Sequence, residues 1–417
     1  MRRRGITTAA VIGVVSVGGG GWDRGCTERT QDVRNEAELK QAVQQMMPAV
    51  ERATHLTFKR RPVVLRRTRG QVRDYVIHKF DGDLPPAELA GAEAAYRLFG
   101  LIPDSLDLRR TMIDLLTEHV AGYFDPDSNA LYIPADLDPS YARLVISHEL
   151  VHALQDQYLN LDSLVTLKRQ NDRRSAAQAI LEGQATLAQI LVLMPEQKLE
   201  SLPNFWDLRT TLWGSQGGGE GMKVFASVPL WLRESLIFPY LGGAEFVRWF
   251  QHEYPGKQPY GPLMPVSTAQ ILHPARYAAG DRPDAVTFLP PASDTVRYED
   301  GLGEFEIRLL LEQYLGNDSA AALLANGWAG DRYQVLGRRG DVLVWYTLWE
   351  SRASAERFQR AVGRVWVKRR AGARFARRWE IRPLVLSGVR AVRLVDAPPA
   401  WVGWRHVPQA RVVRTAR

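Results

Sequence analysis

Residues 138–158 read DPSYARLVISHELVHALQDQY, and positions 148–152 form the pattern His-Glu-x-x-His. Asp138 followed by Pro139 is typical of a helix start, with aspartate as the N-cap and proline at the first helical position. Apolar residues then recur at helical spacing, at Ile146, Leu150, Ala153 and Leu154. The segment therefore predicts a helix with both histidines on a face beside the apolar stripe.

The two histidines are four residues apart, so a helix places their imidazoles one above the other on the same face. Two imidazoles at that spacing can coordinate one zinc ion, and Glu149 then lies beside the metal. A carboxylate there can take a proton from a zinc-bound water, whose pKa the metal lowers to about 7. The pattern predicts a zinc site with His148 and His152 as ligands and Glu149 as general base; a surface helix that carries two histidines by chance is the alternative.

The third ligand decides the class of zinc site. A metzincin would need glycine at 155 and histidine at 158, but the chain has Gln155 and Tyr158, which excludes that class. Asp156 lies about 6 Å beyond His152 along the helix axis. We therefore expect Asp156 to accept a hydrogen bond from a ligand imidazole rather than to bind the metal.

A second helix downstream offers another carboxylate. Residues 175–188 read as a helix capped near Asn171 or Asp172. Glu182 flanks the apolar face of this helix, and it needs a partner there because burial of an unpaired carboxylate is costly. Zinc would be that partner, and a solvated helix position is the alternative. Gly183 costs about 1 kcal/mol relative to alanine inside a helix, which favours a closely packed neighbouring helix.

Together, His148, Glu149, His152 and the EGQA segment that begins at Glu182 resemble the gluzincin metallopeptidases. In that class, a glutamate on the helix after HExxH completes the metal site. The resemblance implies His148, His152 and Glu182 as zinc ligands and Glu149 as general base. Many gluzincins have an aspartate four residues after the ligand glutamate, where this chain has Thr186, so the residues that support the ligands must differ.

A wider stretch, from about residue 105 to 350, resembles a family of secreted, largely uncharacterised bacterial HExxH proteins. The resemblance rests on the motifs AGYFDP at 121–126, HELVHALQDQ at 148–157 and PVSTAQILHP at 265–274.

Residues 122–134 contain two short strand-like runs around the turn DPDSN and predict a hairpin. In zincins, a sheet edge above the active-site helix pairs with an extended substrate, and this hairpin could supply that edge. A hairpin that only packs on the helix is the alternative. We expect an α+β fold with a zincin-like catalytic domain: a sheet, the active-site helix and a second helix that carries a ligand, followed by a C-terminal α+β region.

Peptide hydrolysis also needs a group that stabilises the oxyanion, usually a tyrosine or histidine from a later segment. The candidates are Tyr240, His273 and Tyr277. We prefer His273 as a catalytic residue, because it stands in a loop-like run that ends in proline and is one of only eight histidines. A structural, hydrogen-bonded histidine is the alternative.

The chain has 417 residues and 45% hydrophobic content, which is enough for a real core and too long for one average domain. We expect a signal peptide or membrane-anchoring segment at 1–26 and a zincin-like metallopeptidase domain at 27–295. A small α+β domain at 296–365 and a basic, strand-like extension at 366–417 follow.

The N terminus is typical of a secretory signal. Arginines at 2–4 precede a short apolar run at 6–17, which is too short to span a membrane. Cys26 is the single cysteine, so an internal disulfide is excluded. Cys26 could be acylated, but the residues at 23–25 form a poor acylation signal, and cleavage near Gly18 is the alternative. We expect a secreted or periplasmic protein, membrane-anchored through its N terminus if Cys26 is acylated.

Basic charge is concentrated at the C terminus. Residues 360–417 contain 15 lysines or arginines and two acidic residues, whereas the whole chain carries a formal net charge of +8. Anionic lipid headgroups or acidic envelope polymers are partners that this charge could attract. A solvated arginine-rich surface is the alternative. No nucleic-acid-binding motif accompanies the charge, so we expect no nucleic-acid partner.

These features predict an exported zinc-dependent peptidase that acts on a peptide or protein substrate. The alternative is a non-catalytic cell-envelope binding or assembly protein that retains a zincin scaffold. The intact pentad favours the enzyme, because a scaffold has no use for Glu149. The sequence predicts neither the cleavage preference nor the oligomeric state.

Overall fold

The structure is a computed structural model. It describes residues 35–415 except 162–163, 165–166, 209–224, 226, 291–293, 338–340 and 372–375. The expected signal segment at 1–26, with Cys26, lies outside the described residues.

The fold is mixed α+β, as expected. Its helices are α1 Glu36–Thr54, α2 Arg69–Asp83, α3 Pro86–Phe99, α4 Leu108–His119, α5 Pro139–Gln155, α6 Asn171–Leu193, α7 Leu230–Glu253, α8 Thr268–Leu272, α9 Pro274–Ala278, α10 Gly303–Leu315, α11 Asp318–Ala325 and α12 Arg352–Arg370. Its strands are β1 Val63–Arg67, β2 Tyr123–Asp125, β3 Ala130–Pro134, β4 Ala285–Phe288, β5 Val296–Asp300, β6 Trp328–Leu336, β7 Val342–Trp349, β8 Arg378–Leu386, β9 Val389–Ala397 and β10 Ala410–Val413.

A small sheet packs against the HExxH helix α5. Its central strand β3 pairs in parallel with β1 and antiparallel with β2. Strands β2 and β3 are the predicted hairpin, with Tyr123 opposite Tyr132, so that prediction is confirmed. Phe124 and Leu131 on the sheet share one apolar cluster with Leu150 on α5. This shared cluster fixes the helix under the hairpin.

Helices α6 and α7 cross at Gly183 and Gly243, so neither helix has a side chain at the contact. A Cβ atom at Gly183 would overlap the carbonyl carbon of Gly243, and one at Gly243 would overlap the carbonyl oxygen of Ala179. Only glycine permits backbones to approach this closely. The prediction that Gly183 marks a close helix contact is therefore confirmed.

Replacement of Gly183 by alanine should lower the free energy of unfolding by about 2–3 kcal/mol, because the added methyl group forces the two backbones apart. Alanine is the better helix former, so helix propensity alone predicts the opposite sign. Gly363 in α12 is a matched control, since a Cβ there would meet nothing within 4 Å. Gly363→Ala should raise stability by up to about 1 kcal/mol. Urea unfolding measures both effects, and equal stabilities of the two variants would contradict the tight crossing.

Helix α6 is long and apolar enough to cross a bilayer by length and composition, and it is the one such helix among the described residues. However, 67% of its most apolar window is buried inside the protein. It packs against α1, α5 and α7. These contacts are typical of the core helix of a globular fold.

The C-terminal part forms a five-stranded antiparallel sheet in the order β5-β6-β7-β9-β8. Strand β7 is buried at every position. Its side chains alternate between two apolar clusters: Leu343 and Trp345 face the helical core, and Val344 and Tyr346 face the side covered by β4 and β10. The sheet is thus covered on both faces, which explains the nearly continuous apolar sequence of β7.

This sheet continues across residue 365, where we expected a boundary. Strand β9 pairs with β7 along its length. Asp396 on β9 is fully buried, lies 2.8 Å from Arg377 and also pairs with Arg370. It accepts a hydrogen bond of 2.7 Å from the indole of Trp366 on α12. Residues 366–397 are therefore part of the sheet and not a separate extension, and part of their basic charge is neutralised inside the fold.

Candidate metal centre

Helix α5 begins as predicted. The side chain of Asp138 caps it by accepting a hydrogen bond of 2.9 Å from the backbone of Ser140, and Pro139 follows the cap. Ten residues into the helix, the imidazoles of His148 and His152 lie with ring centroids 4.9 Å apart. Both histidines are fully buried, which excludes the alternative of a surface helix.

Glu182 on α6 meets both histidines, as predicted. Its Oε2 atom lies 3.2 Å from Nε2 of His148 and 3.4 Å from Nε2 of His152. The three ligand atoms all lie within 4.8 Å of one another. Two ligands of one tetrahedral zinc, each about 2.0–2.1 Å from the metal, lie about 3.3 Å apart. The group is therefore able to hold a metal ion.

Unsatisfied polar atoms point to the same conclusion. Within the described residues, Nε2 of His152 and both carboxylate oxygens of Glu149 are buried without a hydrogen-bond partner. Buried polar atoms without partners are rare, and each one calls for an explanation such as an ion or a water. A cation and its water ligand would satisfy these atoms.

The electrostatics of the group favour a cation. Burial opposes charge on both Glu182 and His152, but their mutual attraction outweighs it, so the pKa of Glu182 is lowered and that of His152 is raised. Burial lowers the pKa of His148 and raises the pKa of Glu149 to about 8. Neutral His148 and ionised Glu182 are the forms that coordinate metals.

A network of glutamines orients His152. Its Nδ1 atom lies 2.9 Å from Oε1 of Gln155. The amide Nε2 of Gln155 donates to the carbonyl of Leu181 and to Oε1 of Gln184, each at 3.0 Å. Oε1 of Gln155 must therefore act as the acceptor, and Nδ1 of His152 carries the proton. In the metal-free group the raised pKa of His152 keeps Nε2 protonated as well, facing Glu182. Loss of that proton leaves the lone pair on Nε2 that coordinates a metal.

The network extends to the N-terminal helix. Tyr260 donates its hydroxyl proton to Oε1 of Gln184. Gln184 donates to Gln258 at 2.8 Å, and Gln258 donates to the carbonyl of Thr54 at 2.7 Å. The orientation of His152 thus depends on α1, α6 and the segment after α7.

The prediction for Asp156 was wrong. Its carboxylate pairs with Arg60 at 2.7 Å, and Gln155 is the residue that accepts the hydrogen bond from His152. Sequence reasoning used Gln155 only to exclude a metzincin. The signal that could have found it is its position three residues after His152, inside an otherwise apolar helix end.

Gln155→Ala should lower zinc affinity by about 10–100-fold, the usual effect of losing the hydrogen-bond partner of a ligand histidine. Gln155→Glu retains the acceptor for Nδ1 but places a second oxygen against the carbonyl of Leu181 and Oε1 of Gln184, so it should recover only part of the affinity. Gln157→Ala is the matched control, because Gln157 bonds to the backbone of Lys59 and Arg60. Competition with a chromophoric chelator measures the zinc affinity of all three variants. Equal affinities of Gln155→Ala and Gln157→Ala would show that the network does not support the ligand.

Tyr240 on α7 is the oxyanion candidate that lies beside this group. Its ring centroid is 6.1 Å from that of His148, with the planes inclined by 26°. Tyr240 lies about one helical turn before Gly243, so the close helix crossing brings it to the site. Tyr277 instead donates a hydrogen bond of 2.8 Å to the carbonyl of Leu263.

His273, our preferred candidate, belongs to a different cluster. Its Nε2 atom lies 2.5 Å from Oε1 of Glu304. Thr268 of the same segment hydrogen-bonds to Asp172 at 2.9 Å. Asp172 lies ten residues before Glu182, which is about 15 Å along α6. Among the described residues, His273 is not a member of the metal group, and its contact with Glu304 fits the structural alternative.

A family model described as a domain of unknown function, DUF8575, matches residues 294–405. This region comprises the five-stranded sheet with its helices and does not include the metal group. It spans the boundary that we expected at residue 365. No curated protein and no solved structure matches the chain.

Proposed function

We propose that this protein is an exported zinc-dependent peptidase of the gluzincin type. The observation that carries the proposal is the buried group of His148, His152 and Glu182, with Glu149 next to it on the same helix. Two imidazole nitrogens and one carboxylate oxygen are a donor set of catalytic zinc sites, which keep a further position for water or substrate. This donor set favours zinc over magnesium or calcium, which prefer oxygen ligands alone.

Zinc, when bound, supplies a water of lowered pKa and polarises the scissile carbonyl. Glu149 is the residue that takes the proton from the attacking water and passes it to the leaving amine. Burial raises the pKa of Glu149 to about 8. The positive charge of a nearby cation would lower this pKa towards neutral pH. Such a carboxyl group can both accept and donate a proton near pH 7.

Tyr240 replaces His273 as our candidate for the oxyanion donor. Its ring lies against His148, and α7 is fixed relative to α6 by the contact of Gly183 with Gly243. A rigidly placed donor of this kind contributes about 10²–10³ to the rate of acyl transfer.

We propose that the substrate binds in an extended form along β2. Strand β3 is paired on both sides, so the outer edges of this small sheet belong to β1 and β2. Of these two, β2 packs against the HExxH helix. Main-chain hydrogen bonds to such an edge would hold a peptide next to the metal group with little dependence on its sequence.

One observation favours the non-catalytic alternative. His148, Glu149 and His152 are all 0% exposed, and a metal closed off from solvent also suits a structural role. The catalytic and structural proposals differ at Glu149. A catalytic site needs Glu149 as general base, whereas a structural site needs only the three ligands.

Export and surface binding complete the proposal. We infer export from the N-terminal signal pattern and, if Cys26 is acylated, anchoring to a membrane. Arginines at the C terminus that are not paired inside the fold would attract anionic lipid or acidic polymers of the cell envelope. Identification of the N-terminal residue of the exported protein tests this part.

The experiment that tests the enzymatic proposal combines two measurements on the purified protein. Metal analysis after dialysis should give one zinc per chain. Incubation with a fluorescently labelled unfolded protein should release peptides, and a chelator should abolish this release. Zinc binding without cleavage of any unfolded protein or peptide would favour the structural alternative.

A further inference from the structure

A cleft lies in the C-terminal part of the fold, in a different region from the metal group. It is bounded by β8, β9 and the segment 401–409 that leads into β10, and it has a volume of about 490 Å³. Pockets of about 300–1,000 Å³ are typical of small-molecule sites. The cleft therefore has room for a ligand of one or two rings.

One wall of the cleft is aromatic and rigid. The indole rings of Trp401 and Trp404 meet edge to face, with centroids 5.6 Å apart. The Nε1 atom of Trp401 donates to Asp294 at 2.7 Å, and that of Trp404 donates to the carbonyl of Pro398 at 2.9 Å. Both indole N–H groups are thus satisfied inside the protein. Gly403 packs against the ring of Trp401, and the guanidinium group of Arg378 lies over the ring of Trp404, 4.2 Å from its centroid. What this wall offers to a ligand is the apolar ring surface that these two contacts leave uncovered.

The lining of the cleft is also rich in guanidinium groups. Arg382 and Arg393 both approach Oε1 of Glu380, at 2.8 and 2.9 Å. Arg405 also lines the cleft and is exposed, and its side chain has no hydrogen bond or ion pair with the described residues. Three arginines therefore face two carboxylates, of which Asp294 already accepts an indole proton. The excess of positive charge favours a ligand with an anionic group.

The cleft also offers hydrogen-bond acceptors. Glu380 uses one oxygen, Oε1, for both arginines, so its other oxygen can accept a hydroxyl proton. Gln409 uses its amide nitrogen to donate to the carbonyl of Val407 at 2.8 Å, so its amide oxygen can do the same. A ligand that matches this lining must carry hydroxyl donors, an anionic group and an apolar ring face.

We propose that this cleft binds an acidic sugar, meaning a saccharide unit with a carboxylate or phosphate group. The sugar ring packs against the aromatic wall of Trp401 and Trp404, the anionic group pairs with Arg405, and hydroxyl groups donate to Glu380 and Gln409. The site does not depend on the metal group or on peptidase activity. It would give the protein a specific contact with acidic glycans, in addition to a general attraction by charge.

Isothermal titration calorimetry of the full chain at low salt tests the proposal, with four probes: glucuronic acid, glucose 6-phosphate, glucose and inorganic phosphate. We expect glucuronic acid or glucose 6-phosphate to bind at least about tenfold more tightly than glucose and than inorganic phosphate, since only they carry both the ring and the charge. The better of the two identifies the anionic group. The proposal would be overturned if glucose or inorganic phosphate bound as tightly as glucuronic acid and glucose 6-phosphate. It would also be overturned if neither acidic sugar bound.

A pair of variants locates the site. Arg405→Gln removes a charge from the cleft at an exposed position, and Arg411→Gln removes one at an exposed position of β10 outside the lining. The first should weaken binding of the acidic sugar about tenfold or more, because it removes a charge-assisted hydrogen bond. The second should change it less than twofold. Equal effects of the two variants would show that the cleft is not the site.

Discussion

Peptide hydrolysis should fall by a factor of about 10² or more when Glu149 is replaced by glutamine, while zinc content and fold stay unchanged. Glutamine is nearly isosteric with glutamate, and Glu149 is not a member of the group that could hold the metal. Glutamine cannot accept a proton from the attacking water, so only the proton-transfer step is lost. The measurement is the cleavage rate of a labelled unfolded protein at equal zinc loading.

Two further variants test the two candidates for the oxyanion donor in the same assay. Tyr240→Phe removes a hydroxyl group from the ring beside His148 and should lower the rate by about 10²–10³. His273→Ala breaks a contact with Glu304, so it should affect stability and leave the rate per folded molecule close to that of the wild type. Equal rates for the wild type and Glu149→Gln would contradict the enzymatic proposal.

The second large effect concerns the third ligand. Glu182→Ala should reduce zinc affinity by more than the roughly 10–100-fold that follows loss of an outer hydrogen-bond partner, because it removes one of three ligands and leaves two buried imidazoles without their counter-charge. Zinc bound to the folded state adds to stability. The same variant should therefore lose most of the increase in Tm that zinc gives to the wild type.

Asp156→Ala is the control for this experiment. Asp156 follows His152 by four residues, but its carboxylate pairs with Arg60, so its removal should leave zinc affinity unchanged. Affinity is measured by competition with a chelator, and the Tm by differential scanning fluorimetry with and without zinc. Unchanged affinity in Glu182→Ala would exclude Glu182 as a ligand.

Local patterns predicted the parts of this protein that depend on local spacing. The cap at Asp138 and the alignment of His148 with His152 both follow from the geometry of one helix. The contact at Gly183 was also predictable, because a mid-helix glycine is costly unless another backbone lies close. For Glu182, the burial argument predicted that the carboxylate has a partner but not which residues provide it. The resemblance to gluzincins supplied the two histidines.

The parts that could not be predicted depend on contacts between distant segments. Strands β7 and β9 pair although the whole of α12 separates them in sequence. No local pattern distinguishes such long-range pairing from a domain boundary near residue 365. The choice between Tyr240 and His273 depended on how α7 crosses α6, which the sequence does not specify. Gln155 is a buried polar residue whose partners on α6 are distant in sequence, so its role becomes clear only when Leu181 and Gln184 lie next to it.

The glycine crossing has a consequence for the order of folding. Gly183, Gly242 and Gly243 each weaken an isolated helix by about 1 kcal/mol, so α6 and α7 are poorly stable apart and become ordered by docking on each other. Glu182 is adjacent to the docking point. The third ligand therefore reaches the two histidines only after two segments about 60 residues apart in the chain have come together. We therefore expect the complete metal group to assemble late in folding, after the HExxH helix has formed.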